Sequence, residues 1–164
     1  MGKSFRLRQD TKDWFSNIQK QTNQQIKTDF DLYYFCLMLG LATGKYSEPS
    51  KRCEEYRDFR DEFVSEYKPH QNIIIGLLIK AELSKFGISL DEKEDTKEHL
   101  IKLIDPSSIT NLTNEGIDSM NAYASGGFDY LTENSDSKPY HVEEFLISYV
   151  KLLQKAVDES NLWN

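Results

Sequence analysis

The chain has 164 residues, 38% hydrophobic and 12% aromatic, enough to bury one core and too apolar for a disordered segment. Its net charge of −7 is uneven: residues 1–52 hold nine Lys/Arg against five Asp/Glu, residues 53–164 eleven against twenty-two. With four prolines, two cysteines and no repeat, this excludes low-complexity and disulfide-framework classes and predicts a single domain over 1–164, a basic head (1–45) on an acidic helical body (46–164). The charge asymmetry either directs a polyanion to one end or is ordinary scatter.

The most apolar run, Phe30 to Ala42, spans 13 residues and falls short of the roughly 20 that a bilayer requires. The opening residues lack the apolar stretch of a secretory signal. These features predict a cytoplasmic protein with no membrane partner. Cys36 and Cys53 are too far apart in sequence for a metal clip, and Cys36 should pack as a small hydrophobe. With no export signal expected, the sequon at Asn111-Leu112-Thr113 reads as chance.

In chain order, residues 4–9 alternate as a half-buried strand does, with Phe5 and Leu7 on one side and Ser4, Arg6 and Arg8 on the other. Asp10 and Thr11 offer caps for a first helix from about Thr11 to Gln24, carrying Trp14, Phe15, Ile18 and Thr22. Asp29 can cap a second helix, apolar on nearly all sides through Leu41 and ending near Gly44; a loop around Pro49 follows. The spacing predicts a third helix over Ser50–Tyr67 with Cys53, Tyr56, Phe59, Phe63, Val64 and Tyr67 inward, and a fourth over 71–86 closed by Gly87. A fifth runs from about Asp91 to Ile104, where Asp105-Pro106 breaks it; its first turn is acidic, as the positive helix N-terminus favours. Residues Thr113–Asn134 are helical in pattern but interrupted at Gly126-Gly127. Pro139 precedes a final helix striped by Val142, Phe145, Leu146, Tyr149, Leu152, Leu153 and Ala156. The expectation is a mainly α fold, a single bundle of about seven helices with one short N-terminal strand.

Catalytic motifs are weak. Gly40 to Ser47 resembles a phosphate loop, but only three residues separate Gly40 from Gly44 and a tyrosine follows Lys45; a helix C-cap explains it better. His70, His99 and His141 are far apart, and His141-x-x-Glu144 is one reversed copy of a motif that di-metal bundles carry in pairs. The acids Glu54, Glu55, Asp58, Asp61 and Glu62 alternate with basic residues as exposed faces do. No nucleophile signature, metal set or cofactor motif points to an enzyme. A separate candidate is Met120–Tyr130, where Gly126 and Gly127 permit close backbone approach and Tyr123, Phe128 and Tyr130 offer contact area. It is either a partner-binding surface or a kink between helices packed on the core.

The N-terminal strand has a further use. Two such strands from two chains can pair into a ribbon that fits the major groove, with Phe5 and Leu7 sealing the dimer core. Arg6 and Arg8 would then meet bases or phosphates, with Lys3, Ser4 and Lys12 assisting and Lys20 and Lys27 at the flanks. Phe5-Arg6-Leu7-Arg8, Thr11-Lys12, Trp14-Phe15, Ile18 and Thr22 resemble the opening of ribbon-helix-helix proteins, in particular the small DndE proteins of bacterial DNA phosphorothioation systems. The resemblance covers about residues 3–44. It implies double-stranded DNA binding by a non-catalytic accessory subunit of a DNA-modification or anti-phage defence system, oligomeric through its ribbon and partnered by other proteins of that system. The apolar second helix and the acidic body depart from that family. The other reading is a helical adaptor of a multiprotein complex that does not touch nucleic acid, its strand docked on the bundle.

Overall fold

The N-terminal strand finds its partner inside the same chain. A computed structural model describes residues 2–21, 26–48 and 55–160, in which β1 (Phe5–Arg8) pairs antiparallel with β2 (Tyr56–Arg60). The rest is helical: α1 (Gln9–Trp14), α2 (Ser16–Gln19), α3 (Asp29–Thr43), α4 (Gln71–Lys85), α5 (Lys93–Leu103), α6 (Asn114–Glu133) and α7 (Val142–Glu159), with a 3₁₀ turn at Lys68–His70. The fold is mainly α, as expected.

The expected third helix is corrected. Tyr56, Phe59 and Phe63 recur at helical spacing, yet residues 56–60 are extended, and Pro49, Ser50 and Cys53 lie outside the described residues. A lone strand leaves its backbone groups unpaired, and β2 supplies the partner β1 lacks. Phe5 faces Arg60 and Arg6 faces Asp58, so Phe59 is an extra residue in the register. Its ring lies 6.0 Å from Phe30 and 5.5 Å from Tyr33.

Two helix ends also differ from expectation. The first helix starts earlier, at Gln9, and breaks at Phe15. Its expected end at Thr22 and Gln24 falls outside the described residues. Thr28, not Asp29, caps α3: its hydroxyl accepts from the Asp31 N–H while Asp31 accepts from the Thr28 N–H, and Gly44 closes the helix at φ 72°.

α3 and α6 form the centre of the core. Their backbones touch because both faces are glycine: a Cβ on Gly127 would lie 1.7 Å from the Cys36 carbonyl oxygen, and one on Gly40 1.9 Å from that of Tyr123. α6 therefore runs unbroken through Gly126 and Gly127, and the expected interruption is absent. Glycine costs helix propensity but permits this approach. α7 packs across α3 through Val142, Phe145, Tyr149 and Ala156, with the Tyr149 hydroxyl donating to the Phe35 carbonyl at 2.7 Å. Phe5, Leu7, Trp14 and Phe15 from the head share this core with residues of the body. Among the described residues no helix is long and apolar enough to cross a membrane.

Candidate functional site

Phe5 and Leu7 point inward, as the alternation predicts, and Arg6 points out. Arg8 does not project into solvent: it is 5% exposed. The chain turns into α1 directly after it, which carries the guanidinium beneath α6. There Nη1 lies 2.8 Å from Asp129 Oδ1 and 3.1 Å from Ser125 Oγ, Nη2 lies 2.6 Å from Asp10 Oδ2, and the group sits 5.0 Å from the Phe128 ring centre. Burial by itself disfavours the charged guanidinium. The hydrogen bonds to Asp10 and Asp129 outweigh it and raise the proton affinity above that of a free arginine.

The other proposed DNA contacts are engaged too. Arg6 Nε meets Asp58 at 2.7 Å, Lys12 meets Asp29 at 3.2 Å, the Lys3 ammonium meets Asp118, and the Ser4 hydroxyl donates to Asp61. Nor does β1 keep an edge for a second chain. One side holds β2; on the other, Asn121 accepts from the Arg6 N–H at 3.0 Å and donates to the Ser4 carbonyl at 3.1 Å. The ribbon is thus built within one chain, not between two.

These contacts form a ladder. Asn114, Asp118, Asn121, Ser125 and Asp129 recur every three or four residues along α6 and meet, in turn, Lys3, Lys3, Arg6 and Ser4, Arg8, and Arg8. From Asn114 to Asp129 the helix rises about 22 Å, somewhat more than the roughly 17 Å of extended chain from Lys3 to Arg8 that it faces. A polar stripe on an otherwise buried helix is the signal by which the docking could have been read from sequence.

The surface proposed around Gly126 and Gly127 is corrected. Tyr123 is fully buried, Phe128 is 4% exposed, and both glycines are covered by α3 and the chain after it, a Cβ on Gly126 meeting the Lys45 carbonyl at 2.2 Å. Only Tyr130 is half-exposed. The segment binds a partner helix, but that helix is α3.

Other candidates resolve into structure. Lys45 pairs with Glu133, and the Cys36 thiol is 1% exposed, its pKa pushed up by burial, which disfavours a thiolate nucleophile. His99 packs against Phe86 in a tilted arrangement, the ring centres 4.8 Å apart. Among the described residues no three His, Cys, Asp or Glu side chains gather as a metal site would need.

Two open features remain. A groove of about 680 Å³ lies between the start of β1 and the Asp105–Thr113 connection, with Ile117 and Leu112 at its base. On α7, Ile147 and Val150 are 59% and 62% exposed beside the core-facing stripe. Sequence reasoning singled out neither, nor Arg57 and Arg60, exposed residues of β2 with no carboxylate partner among the described residues. No protein-family model, curated protein or solved structure matches the chain.

Proposed function

We propose that this chain is a non-catalytic helical adaptor, a subunit that joins other proteins into a complex. The observation that carries the reading is the outer face of α7. Ile147 and Val150 stand one turn apart in solvent, next to half-buried Leu146 and Leu153, on a helix whose core contacts are already made. Apolar residues repeating along an exposed helix face are what a partner's helix or groove takes up. Cross-linked recovery of the intact protein from its own cells tests this, comparing the unaltered chain with Ile147→Asp/Val150→Asp. The adaptor reading expects specific partners to be lost while circular dichroism is unchanged. Retention of every partner would end it.

One observation favours a second reading, the DNA-contacting accessory subunit of a modification or defence system that the opening segment's resemblance implies. The chain has five arginines; Arg52 lies outside the described residues, and the other four stand on the β1–β2 ribbon. With Arg8 buried and Arg6 paired, Arg57 and Arg60 would carry the contact. Alanine at both should weaken duplex binding and flatten its salt dependence. Absence of any gel shift by the intact protein at low salt removes this reading.

A further inference from the structure

The outer face of α7 carries more than two exposed apolar residues. Glu143, Ile147, Val150 and Gln154 are all exposed and follow one another at spacings of four, three and four, which makes one stripe along the solvent side of the helix. At about 100° of turn per residue, Leu146 and Leu153 fall on one shoulder of that stripe, and Glu144 and Lys151 on the other. The two leucines are half-buried, so each keeps apolar surface outward. Glu144 and Lys151 are exposed, and neither has an ion-pair partner among the described residues.

Such a helix is its own complement when turned end for end. In an antiparallel pair whose two-fold axis crosses between Ser148 and Tyr149, Ile147 of one copy meets Val150 of the other, and Glu143 meets Gln154. One shoulder then sets Leu146 against Leu153 and continues the apolar strip. The other sets Glu144 against Lys151, and the symmetry repeats every contact. A parallel pair lacks this match, because each shoulder then faces the opposite one and Leu146 lies beside the other copy's Lys151. A foreign partner requires no such match between the two ends of α7.

We infer that α7 pairs with α7 of a second copy of this chain, antiparallel about a two-fold axis, and that this pairing covers Ile147 and Val150. The inference rests on the adaptor reading's use of this face as a docking surface and names its occupant. A contact one helix wide lies at the small end of protein interfaces, so the pair is reversible and exchanges subunits on mixing.

Sedimentation velocity on the purified intact protein, from low to high micromolar concentration, tests the pairing. A reversible dimer is expected, and Ile147→Asp/Val150→Asp should abolish it. Glu144→Lys sets like positive charges together at both flanks, and Lys151→Glu sets like negative charges together. Each should weaken the dimer roughly tenfold. An equimolar mixture of these two variants has opposite charges at both flanks again, so dimer should return to the level of the unaltered chain. All four positions are exposed, and each variant should keep the circular dichroism of the unaltered chain. A monomer at the highest concentration overturns the inference, as does a dimer indifferent to Ile147→Asp/Val150→Asp, or charge variants that fail to rescue one another. The adaptor reading is decided separately, by the other proteins recovered from cells: a monomer that still captures them through α7 leaves that reading standing, and a dimer that captures none removes it.

Discussion

Asn121 stands against Arg6 as a third strand would. Its Oδ1 accepts the Arg6 N–H at 3.0 Å and the Tyr33 hydroxyl at 2.8 Å, while its amide nitrogen donates to the Ser4 carbonyl at 3.1 Å. One side chain, 3% exposed, thereby satisfies three groups that would otherwise be stranded near the core. Asn121→Ala is expected to cost about 2–4 kcal/mol, since unpaired buried polar groups carry their full desolvation penalty. Urea denaturation measures it, and a loss below about 1 kcal/mol would show that water replaces the amide without difficulty.

The buried ion pair of Arg8 with Asp129 leads to a different pattern. Arg8→Met removes the cation that both Asp10 and Asp129 face and should destabilise by about 3–5 kcal/mol, whereas after Asp129→Leu the guanidinium keeps its two bonds to Asp10 and the loss should be smaller. The double variant should be less damaging than the sum of the two, because each single change already removes the same Arg8–Asp129 contact. Strictly additive losses in a double-mutant cycle would contradict this account.

Two helical glycines should respond to alanine with opposite signs. A Cβ at Gly127 would overlap the Cys36 carbonyl, so Gly127→Ala must push α3 from α6 and is expected to lower stability by several kcal/mol, of the order seen for overpacked cores. A Cβ at Gly76, within α4, has nothing within 4 Å, and Gly76→Ala should raise stability by about 0.5–1 kcal/mol through helix propensity. Thermal melts of both variants are sufficient to compare the signs.

Alkaline pH should unfold the protein through its interior acids. Burial raises the pKa of the Cys36 thiol and of the Tyr33 and Tyr149 hydroxyls above their ordinary values. The folded state then keeps protons that the unfolded chain releases, so stability is complete below the unfolded values, near 8.5 for Cys and 10 for Tyr, and falls as pH climbs past about 9. Tyr149→Phe loses the hydrogen bond to Phe35, so it should be less stable at neutral pH, but its stability should fall less steeply with alkalinity. A melting temperature that stays flat up to about pH 11 would refute the burial effect on these groups.

Much of the helical skeleton was legible in the sequence because it rests on local rules. The stripe on α7, the glycine closing α3 and the boundaries of α4 follow from periodicity and capping, which involve residues within a few positions of one another. Phe5 and Leu7 were identified as inward for the same reason. The stretch 56–60 was not legible: Tyr56 and Phe59 suit either a helix face or a bulged strand, and only the unpaired edge of β1, some fifty residues earlier, decides between them.

The candidate sites depended still more on tertiary structure. Sequence alone determined that this is a mainly α chain with a basic, alternating start and a glycine-marked helix. It could not determine whether Arg6 and Arg8 meet a ligand or the protein's own acids, because Asp58 and Asp129 are distant in the chain. Nor could it say whether Gly126 and Gly127 admit a foreign backbone or that of α3. The same residue types serve either use, and which one obtains is set by what long-range packing brings within hydrogen-bonding or van der Waals distance, a relationship that no local spacing encodes.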